Sequence, residues 1–223
     1  MRRVAACLLL LPTWASAAEP LITYVQGDRV EYRADDSTTL IDAQGWVGRD
    51  INKFWWKLES ELGDEDHAEL QALYSRAWLP YFDWQVGIAQ EFGDGPSVTS
   101  AVIGMQGLAR QWFEVDLAAL VAEDGDIAIR FEAEYDLLLT QRLVLQPRLE
   151  LTAGSRDIDE RALGSGMRSS SFGLRLRYEL RREVAPYIGI SWGRLYGGTR
   201  DIAESAGLEG SSATAVAGLR FWF

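Results

Sequence analysis

Hydrophobic and polar residues alternate with a period of two over several long segments of this chain. Between Phe82 and Ile88 the apolar residues are even-numbered, whereas between Ile127 and Leu137 they are odd-numbered. The residues opposite this second apolar set are Arg130, Glu132, Glu134 and Asp136. Because successive side chains of a β-strand point to opposite faces, each segment predicts a strand with one apolar and one polar face.

The whole pattern predicts twelve strands separated by residues typical of turns. They cover about residues 22–33, 39–48, 53–62, 67–78, 81–92, 98–109, 112–122, 126–138, 142–153, 169–181, 184–196 and 212–223. An even number of antiparallel strands brings both termini to one side of a membrane, the periplasmic side in bacterial barrels. The connections alternate accordingly between short turns and longer loops, of which the last two, 154–168 and 197–211, are the longest.

The length of these strands favours a membrane barrel over a soluble sandwich of two sheets, the alternative that alternation alone leaves open. Aromatic residues cluster at strand ends, and the chain closes with an alternating strand that ends in Phe223. Hydrocarbon cannot satisfy backbone N–H and C=O groups, so a sheet that spans a bilayer has to close on itself. We therefore expect an all-β fold, a transmembrane antiparallel β-barrel of about 12 strands. Two arginines, Arg76 and Arg194, occupy the face predicted to contact lipid. Both fall near strand ends, where a charged side chain destabilises a membrane barrel least.

The first residues predict an export signal. Two arginines precede an apolar stretch, residues 4–11, and the small residues 15–17 (Ala-Ser-Ala) fit a cleavage site. We expect residues 1–18 to be a signal peptide and residues 19–223 to be the barrel domain. A leader followed by such strands places the protein in the outer membrane of a Gram-negative bacterium.

Cysteine content and net charge exclude some kinds of site and partner for the mature chain. Cys7, the one cysteine of the sequence, lies in the predicted leader, so we expect no disulfide and no cysteine metal site. The formal net charge is −11. It becomes about −13 once the two leader arginines are removed, which argues against nucleic acid as a partner.

The inward-facing positions of the predicted strands collect charges. The acidic ones are Glu59, Glu61, Glu69, Asp83, Glu91, Glu114, Asp116, Glu132, Glu134, Asp136, Glu150 and Glu179. The basic ones are Lys57, Arg130, Arg142, Arg148, Arg175, Arg177 and Arg220. These residues form either a salt-bridged filling of a narrow barrel or a path for cations, and both roles can coexist. We predict that Glu132 pairs with Arg148 and Arg130 with Glu150 across the turn at residues 139–141, so that neighbouring charges compensate one another. A pairing shifted by two residues would oppose Arg130 to Arg148.

Acidic residues also crowd the predicted outer loops, where they would concentrate cations or bind lipopolysaccharide through divalent ions. They are Asp35, Asp36, Asp64, Glu65, Asp66, Asp94, Glu123, Asp124 and Asp126. His67, the only histidine, lies beside this set and near Glu69. It could be a metal ligand, part of a protease site of the omptin kind, or an ordinary surface residue. No serine stands at a spacing that supports a phospholipase-type nucleophile.

Several short motifs carry a resemblance to a known family. The most specific is the run at 134–143 (EYDLLLTQRL), continued by 146–150 (QPRLE). The others are 45–48 (GWVG), 52–55 (NKFW), 73–76 (LYSR), 106–109 (QGLA), 112–116 (WFEVD), 174–179 (LRLRYE), 182–183 (RE), 185–187 (APY) and 220–223 (RFWF). From Tyr24 onward the chain resembles the copper resistance protein B family (CopB), outer-membrane proteins of bacterial copper-resistance systems.

This resemblance implies a non-enzymatic role in copper tolerance, by binding copper ions or letting them cross the outer membrane. Its implied partners are copper ions, outer-membrane lipid and periplasmic copper-resistance proteins. Family members typically carry a segment rich in Met and His before the barrel, whereas Met105 and Met167 are the only methionines expected in this mature chain. We therefore expect a copper site made of carboxylates with or without histidine, and its candidate ligands are His67, Glu69, Glu132, Glu134 and Asp136. The alternatives are an outer-membrane hydrolase of omptin or phospholipase type that uses His67, and a structural or adhesive barrel.

Overall fold

A computed structural model of the chain describes residues 20–35, 37–63, 66–93 and 97–223. The predicted signal peptide, residues 1–18, lies outside the described residues, so that prediction stays open. Some acidic loop residues also lie outside them, namely Asp36, Asp64, Glu65 and Asp94.

The described residues form strands that are nearly all long enough to cross a bilayer. Their bounds are β1 Ile22–Arg33, β2 Thr39–Gly48, β3 Asn52–Leu62, β4 His67–Leu79, β5 Phe82–Gly93, β6 Val98–Leu108, β7 Glu114–Ala122, β8 Ile127–Glu134, β9 Leu137–Leu138, β10 Leu143–Gly154, β11 Gly166–Tyr178, β12 Val184–Leu195 and β13 Ser211–Trp222. β8 and β9 lie end to end along β10 and together make one barrel strand. The described part of the chain is therefore an antiparallel barrel of twelve strands, as the alternation predicts.

The ring closes between the first and last strands. β1 pairs with β13, from Gln26 opposite Trp222 to Arg33 opposite Val216. Beyond these pairs, the Val25 N–H donates to the Phe223 carbonyl at 3.0 Å, and the Phe223 N–H donates back at 2.8 Å. Phe223 thus helps to satisfy the backbone groups of the closing seam, so the sheet formed by the described residues has no open edge.

The two ends of the barrel differ in their connections. Short turns around residues 49–51, 80–81, 109–113, 139–142 and 179–183 join strands at the end that also holds both ends of the described chain, which we call the short-turn end. Longer loops join them at the opposite, long-loop end, and residues 155–165 and 196–210 form the two largest described ones. The helix α1, Gly197–Ser205, lies within the second of these loops. Among the described residues, no helix is long and apolar enough to cross a membrane.

The two faces of the sheet have opposite chemistry. The outward side chains are apolar and exposed, for example Ile88, Ile103 and Ile188, as expected for a surface that lipid covers. The inward side chains are polar and many are buried, including Glu31 and Arg175. Arg76 and Arg194 are exposed near the ends of β4 and β12, as the sequence predicts.

The predicted register between β8 and β10 is wrong by two residues. Glu134, rather than Glu132, lies opposite Arg148, and Glu132 faces Glu150 directly. The three turn residues are 140–142 rather than 139–141, because the Thr140 hydroxyl accepts hydrogen bonds from the backbone N–H groups of Arg142 and Leu143 at 3.2 and 2.9 Å. Displacing the turn by one residue shifts every pair by two residues, and it leaves Arg142 exposed rather than inside the lumen.

Two strand predictions need smaller corrections. The strand predicted at 126–138 is interrupted at Tyr135 and Asp136, because the Tyr135 N–H donates to the Pro147 carbonyl while Pro147 has no N–H to return. The strand predicted at 169–181 begins earlier, since an irregularity between Thr152 and Ala153 of β10 lets the pairing continue to the start of β11.

Strand β1 contains a bulge that the sequence pattern did not reveal. Its pairing with both neighbours shifts between Gly27 and Val30. The shift turns two successive residues, Asp28 and Arg29, into the barrel, and both are buried. A bulge breaks the strict two-residue period, which is why these residues were absent from the predicted inward set.

Candidate functional site

Carboxylates stand directly opposite one another on four neighbouring strands. Asp42 of β2 faces Glu59 of β3, Glu59 faces Glu69 of β4, and Glu69 faces Glu91 of β5. We call these residues the acidic ladder. Like charges at directly opposed positions destabilise a sheet, so the ladder requires cations close by.

One of these cations crosses the lumen from β8. Arg130 donates from both terminal nitrogens to Glu69, at 2.6 and 2.7 Å, and lies 3.5 Å from Glu91. This two-point contact is the strongest geometry for a guanidinium and a carboxylate. It ties opposite walls of the barrel together and neutralises part of the ladder.

A second row of carboxylates runs across β10, β8 and β7, where Glu150 faces Glu132 and Glu132 faces Asp116. The Lys57 ammonium, which projects from β3, hydrogen-bonds to Asp116 across the lumen. Nearer the short-turn end, Lys53 contacts Asp83 at 2.6 Å. Each lysine therefore joins a strand of the acidic ladder to a carboxylate outside it.

The two rows meet at Arg148. Among the described residues, five carboxylates lie within 4 Å of its guanidinium. They are Asp28, Asp42, Glu132, Glu134 and Glu150, with shortest contacts between 2.6 and 3.5 Å. Arg29 shares two of them, Asp42 at 3.1 Å and Glu150 at 2.8 Å. Both arginine side chains are only 5% exposed, so the cluster is packed rather than bathed in solvent.

Ion pairs fill the lumen on the side of β11 to β13. Arg175 of β11 donates to both oxygens of Glu31 of β1, at 2.6 and 3.0 Å. Arg220 of β13 lies 3.1 Å from Asp28, and Arg177 donates to Asp136 at 2.6 Å. These contacts leave little room beside the closing seam.

The opposite side of the lumen holds a cavity of about 700 Å³. Its lining extends from Tyr81 and Leu108 at the short-turn end to Glu61 and His67 at the long-loop end. Three members of the acidic ladder line it as well, Asp42, Glu59 and Glu69. The Glu59 side chain is 54% exposed although the barrel encloses it, so it is open to the cavity. The lining residues include neither Met nor Cys.

The predicted ligands are distributed along this lumen rather than gathered at one point. His67 begins β4, opposite Glu61 at the mouth of the cavity. Glu69 is held by Arg130, and Asp136 by Arg177. Glu132 and Glu134 come together, but at Arg148. In the described part of the chain, no three side chains of the His, Cys, Asp or Glu type are placed to hold one metal ion.

The surroundings of His67 bear on the hydrolase alternative. The Ser60 hydroxyl, on the neighbouring strand, donates to the backbone carbonyl of His67 at 3.2 Å. A nucleophilic serine would instead contact the imidazole ring. This contact is therefore structural.

Sequence reasoning missed the inward residues of β1 and β2, namely Asp28, Arg29, Glu31 and Asp42. They are central to the lumen, since three of them contact Arg148 or Arg175. The signal that was available is the density of charge in the segment 26–33, QGDRVEYR, which has no continuous apolar face. That irregularity indicates a bulge within a charged wall.

The acidic loop residues that the structure describes mainly tie loops together. Asp126 is buried and accepts hydrogen bonds from Arg168 at 2.7 Å and from the Ser155 hydroxyl at 3.1 Å. Burial alone would raise the pKa of Asp126, but these hydrogen bonds and the charge of Arg168 hold that pKa below its ordinary value. Asp157 accepts a hydrogen bond from the backbone N–H of Ser165 at 2.6 Å, which lowers the pKa of this exposed carboxyl.

Solved structures with the same architecture are outer-membrane porins. The chain is similar to the KdgM porin with a TM-score of 0.54 and 14% identity, over 92% of this chain and 99% of that one. It is similar to the NanC porin with a TM-score of 0.56 and 14% identity, over 90% and 99% of the two chains. At this identity the likeness shows the fold alone.

Sequence comparison shows the family. A family model described as copper resistance protein B precursor (CopB) matches residues 21–223. Copper resistance protein B of Escherichia coli is 40% identical over 200 residues, which are 88% of this chain and 68% of that protein. A copper resistance protein B homolog of Pseudomonas syringae pv. tomato is 40% identical over 205 residues, 90% of this chain and 70% of that protein. The chain belongs to the copper resistance protein B family, and its described residues form a twelve-stranded outer-membrane β-barrel.

Proposed function

We propose that this copper resistance protein lets copper ions cross the outer membrane along the acidic ladder. The observation that carries the proposal is the position of Asp42, Glu59 and Glu69 on the wall of a cavity whose lining reaches both ends of the barrel. Rows of carboxylates in a narrow pore select cations and exclude anions. The cation cargo fits an acidic lumen, whereas a polyanion such as the oligogalacturonate seen with the KdgM porin does not.

The spacing of the carboxylates favours passage over storage. A storage site needs several ligands around one ion, and the described residues offer no such group. Conduction instead requires several sites that each bind weakly enough to release the ion. Glu61 and His67 at the long-loop end, followed by Glu59 and Glu69, would supply such a series.

The chemistry of the lining favours Cu(II) as the cargo. Thiolate and thioether sulfurs select Cu(I), whereas imidazole and oxygen ligands suit Cu(II). The cavity is lined by carboxylates, one imidazole and amide side chains such as Gln44 and Gln71, without sulfur. The predicted ligands His67, Glu69 and Glu132 would act here as transient contacts, while Glu134 and Asp136 would shape the field around the path.

Flux into liposomes that contain the purified barrel tests the proposal. We expect Cu(II) to enter faster than Ca²⁺, and Glu59→Gln to slow Cu(II) entry, because Glu59 faces the cavity without holding Arg148. The matched control is Glu209→Gln, which removes an exposed carboxylate from the loop formed by residues 196–210. Equal rates for Cu(II) and Ca²⁺, or equal rates for Glu59→Gln and the unchanged barrel, would contradict copper passage along the ladder.

Copper tolerance of a deletion strain tests the role in the cell. Restoring the unchanged gene should restore growth on copper, and restoring Glu59→Gln should restore it only in part. His67→Ala should leave most of the tolerance intact, because the path depends on the carboxylates rather than on this single imidazole. Complete loss of function with His67→Ala would favour the hydrolase alternative instead.

A further inference from the structure

The loop formed by residues 155–165 reaches across the mouth of the barrel. It leaves β10 and returns in β11, whereas Glu91 belongs to β5, and the ring places β8, β7 and β6 between β10 and β5. Nevertheless, the Arg161 guanidinium of this loop lies 2.5 Å from Glu91 and 3.4 Å from Asp124. The arginine therefore reaches past Asp124, in the connection between β7 and β8, to a carboxylate that lies four strands away from β10 around the ring.

We propose that this loop is a lid over the long-loop end of the lumen and that Arg161 is the latch that holds it shut. The lid regulates the path proposed above and rests on that proposal, since it covers the outermost carboxylate of the acidic ladder. Glu91 is only 12% exposed and Arg161 only 16%, although both lie close to the open end of the barrel. The guanidinium occupies the ladder carboxylate directly opposite Glu69, which lines the cavity.

The base of the loop is fixed. Arg168, at the start of β11, donates to Asp126 at 2.7 Å, to the Gly164 carbonyl at 2.8 Å and to the Arg156 carbonyl at 3.1 Å. The Gly164 N–H donates in turn to the hydroxyl of Thr199 in α1 at 2.8 Å. Asp157 belongs to this base as well, since it accepts a hydrogen bond from the Ser165 N–H at 2.6 Å. The segment that moves as the lid is therefore residues 158–163.

This middle segment is built to move as one piece. Ile158 and Leu163 exchange backbone hydrogen bonds at 2.7 and 3.1 Å, which close a small hairpin with Arg161 near its apex. The next residue, Ala162, has a φ of 52°, in the left-handed region that side-chain-bearing residues avoid. Ala162 ends the short 3₁₀ turn of residues 159–161, and its N–H donates to the Asp159 carbonyl at 3.2 Å. The hairpin and this turn therefore hold Arg161 in place relative to the rest of the segment.

Competition for Glu91 explains how the latch would open. Arg130 lies 3.5 Å from one oxygen of Glu91 while Arg161 contacts the other, so Arg161 is one of two cations on this carboxylate. A divalent cation at the mouth would bind Glu91 and Asp124 in place of the guanidinium. Binding would therefore release the lid and admit the ion to the ladder.

Labelling of a cysteine inside the lumen tests the lid directly. Thr152 lines the cavity near the long-loop end of β10, so Thr152→Cys in a Cys7→Ser chain places a single thiol below the lid. With a water-soluble, membrane-impermeant maleimide as probe, Arg161→Ala should raise the labelling rate about fivefold, as loss of an ion pair of this kind allows. In the protein that keeps Arg161, calcium chloride should raise the labelling rate more than sodium chloride of equal ionic strength does.

Two matched variants separate the latch from a general disturbance. Arg161→Lys keeps the positive charge and should label at nearly the original rate. Arg200→Ala removes an arginine from α1 at the same end of the barrel, where its partner is Glu204, and should have no effect. Equal labelling rates of the Arg161→Ala protein and the protein that keeps Arg161 would contradict the lid. If the labelling rates differ as expected but the barrel passes no copper, the result counts against the proposed function alone.

Discussion

Arg148 holds together carboxylates from several strands. Asp28 and Asp42 come from β1 and β2, and Glu132 and Glu134 from β8, while Glu150 is on the same strand as the arginine. Removing one cation from such a cluster leaves several buried negative charges without compensation. The side chain is therefore a structural centre of the lumen, and it also lines the cavity.

Replacement of this arginine should be costly. We expect Arg148→Met, which keeps the length of the side chain but removes the charge, to lower the free energy of unfolding by about 3–5 kcal/mol. Urea unfolding of the barrel in lipid vesicles, followed by tryptophan fluorescence, measures this change. Arg142→Met is the matched control, because Arg142 is exposed in a turn. A loss below about 1 kcal/mol, the range of exposed ion pairs, would show that the carboxylates do not depend on Arg148.

Asp126 should confer a pH dependence on the long-loop end. Its pKa in the folded chain lies below the ordinary value of 3.8. The ion pair with Arg168 therefore stabilises the loop base at every pH above that value, and this contribution is lost as the pH falls through the lowered pKa. Amide hydrogen exchange at Ser155 should accelerate only below about pH 3.8, and Asp126→Asn should abolish this acid-dependent step. Acceleration that begins well above the ordinary value would contradict the predicted direction.

The hairpin between β9 and β10 depends on one hydroxyl group. The Thr140 side chain accepts hydrogen bonds from two backbone N–H groups, at Arg142 and Leu143. We expect Thr140→Val to lower the free energy of unfolding by about 1 kcal/mol, whereas Thr140→Ser should cost much less because it keeps the acceptor. Urea unfolding of both variants in vesicles measures the difference. Identical losses for the two variants would mean that the methyl group, rather than the hydroxyl, stabilises the turn.

The same hairpin shows which features of single elements the sequence could reveal. Alternation assigns each residue of a regular strand to a face, so the inward positions of Glu69, Glu132 and Glu134 were predictable and are confirmed. Register is a different property, because it depends on which residues form the turn. The hydrogen bonds of Thr140 place the turn at residues 140–142, and no periodicity reports them. The bulge at Asp28 escaped prediction for a related reason, since an inserted residue reverses the two faces of a strand.

At the scale of the whole molecule, closure of the barrel follows from properties that are visible in the sequence. Long two-faced strands can satisfy their backbone groups in lipid only as a ring, and the final strand with Phe223 joins β1 as expected. The acidic ladder was not predictable in this way. It exists because the registers of β2, β3, β4 and β5 agree, and each register is set by its own turn. The individual carboxylates could thus be assigned to the lumen, but not their alignment.

The alignment of these carboxylates should make the barrel selective for cations. The test uses a planar bilayer that separates two concentrations of potassium chloride. We expect the sign of the reversal potential to show that K⁺ crosses more readily than Cl⁻, since the ladder raises the local concentration of positive ions. Glu59→Gln should move this potential toward zero, because Glu59 is the ladder residue most open to the cavity. Glu209→Gln removes the same charge from the outer surface and should leave the potential unchanged, since exposed charges are screened within about 10 Å at 0.1 M salt. A preference for chloride in the unchanged barrel would mean that the arginines and lysines, rather than the ladder, determine which ions enter.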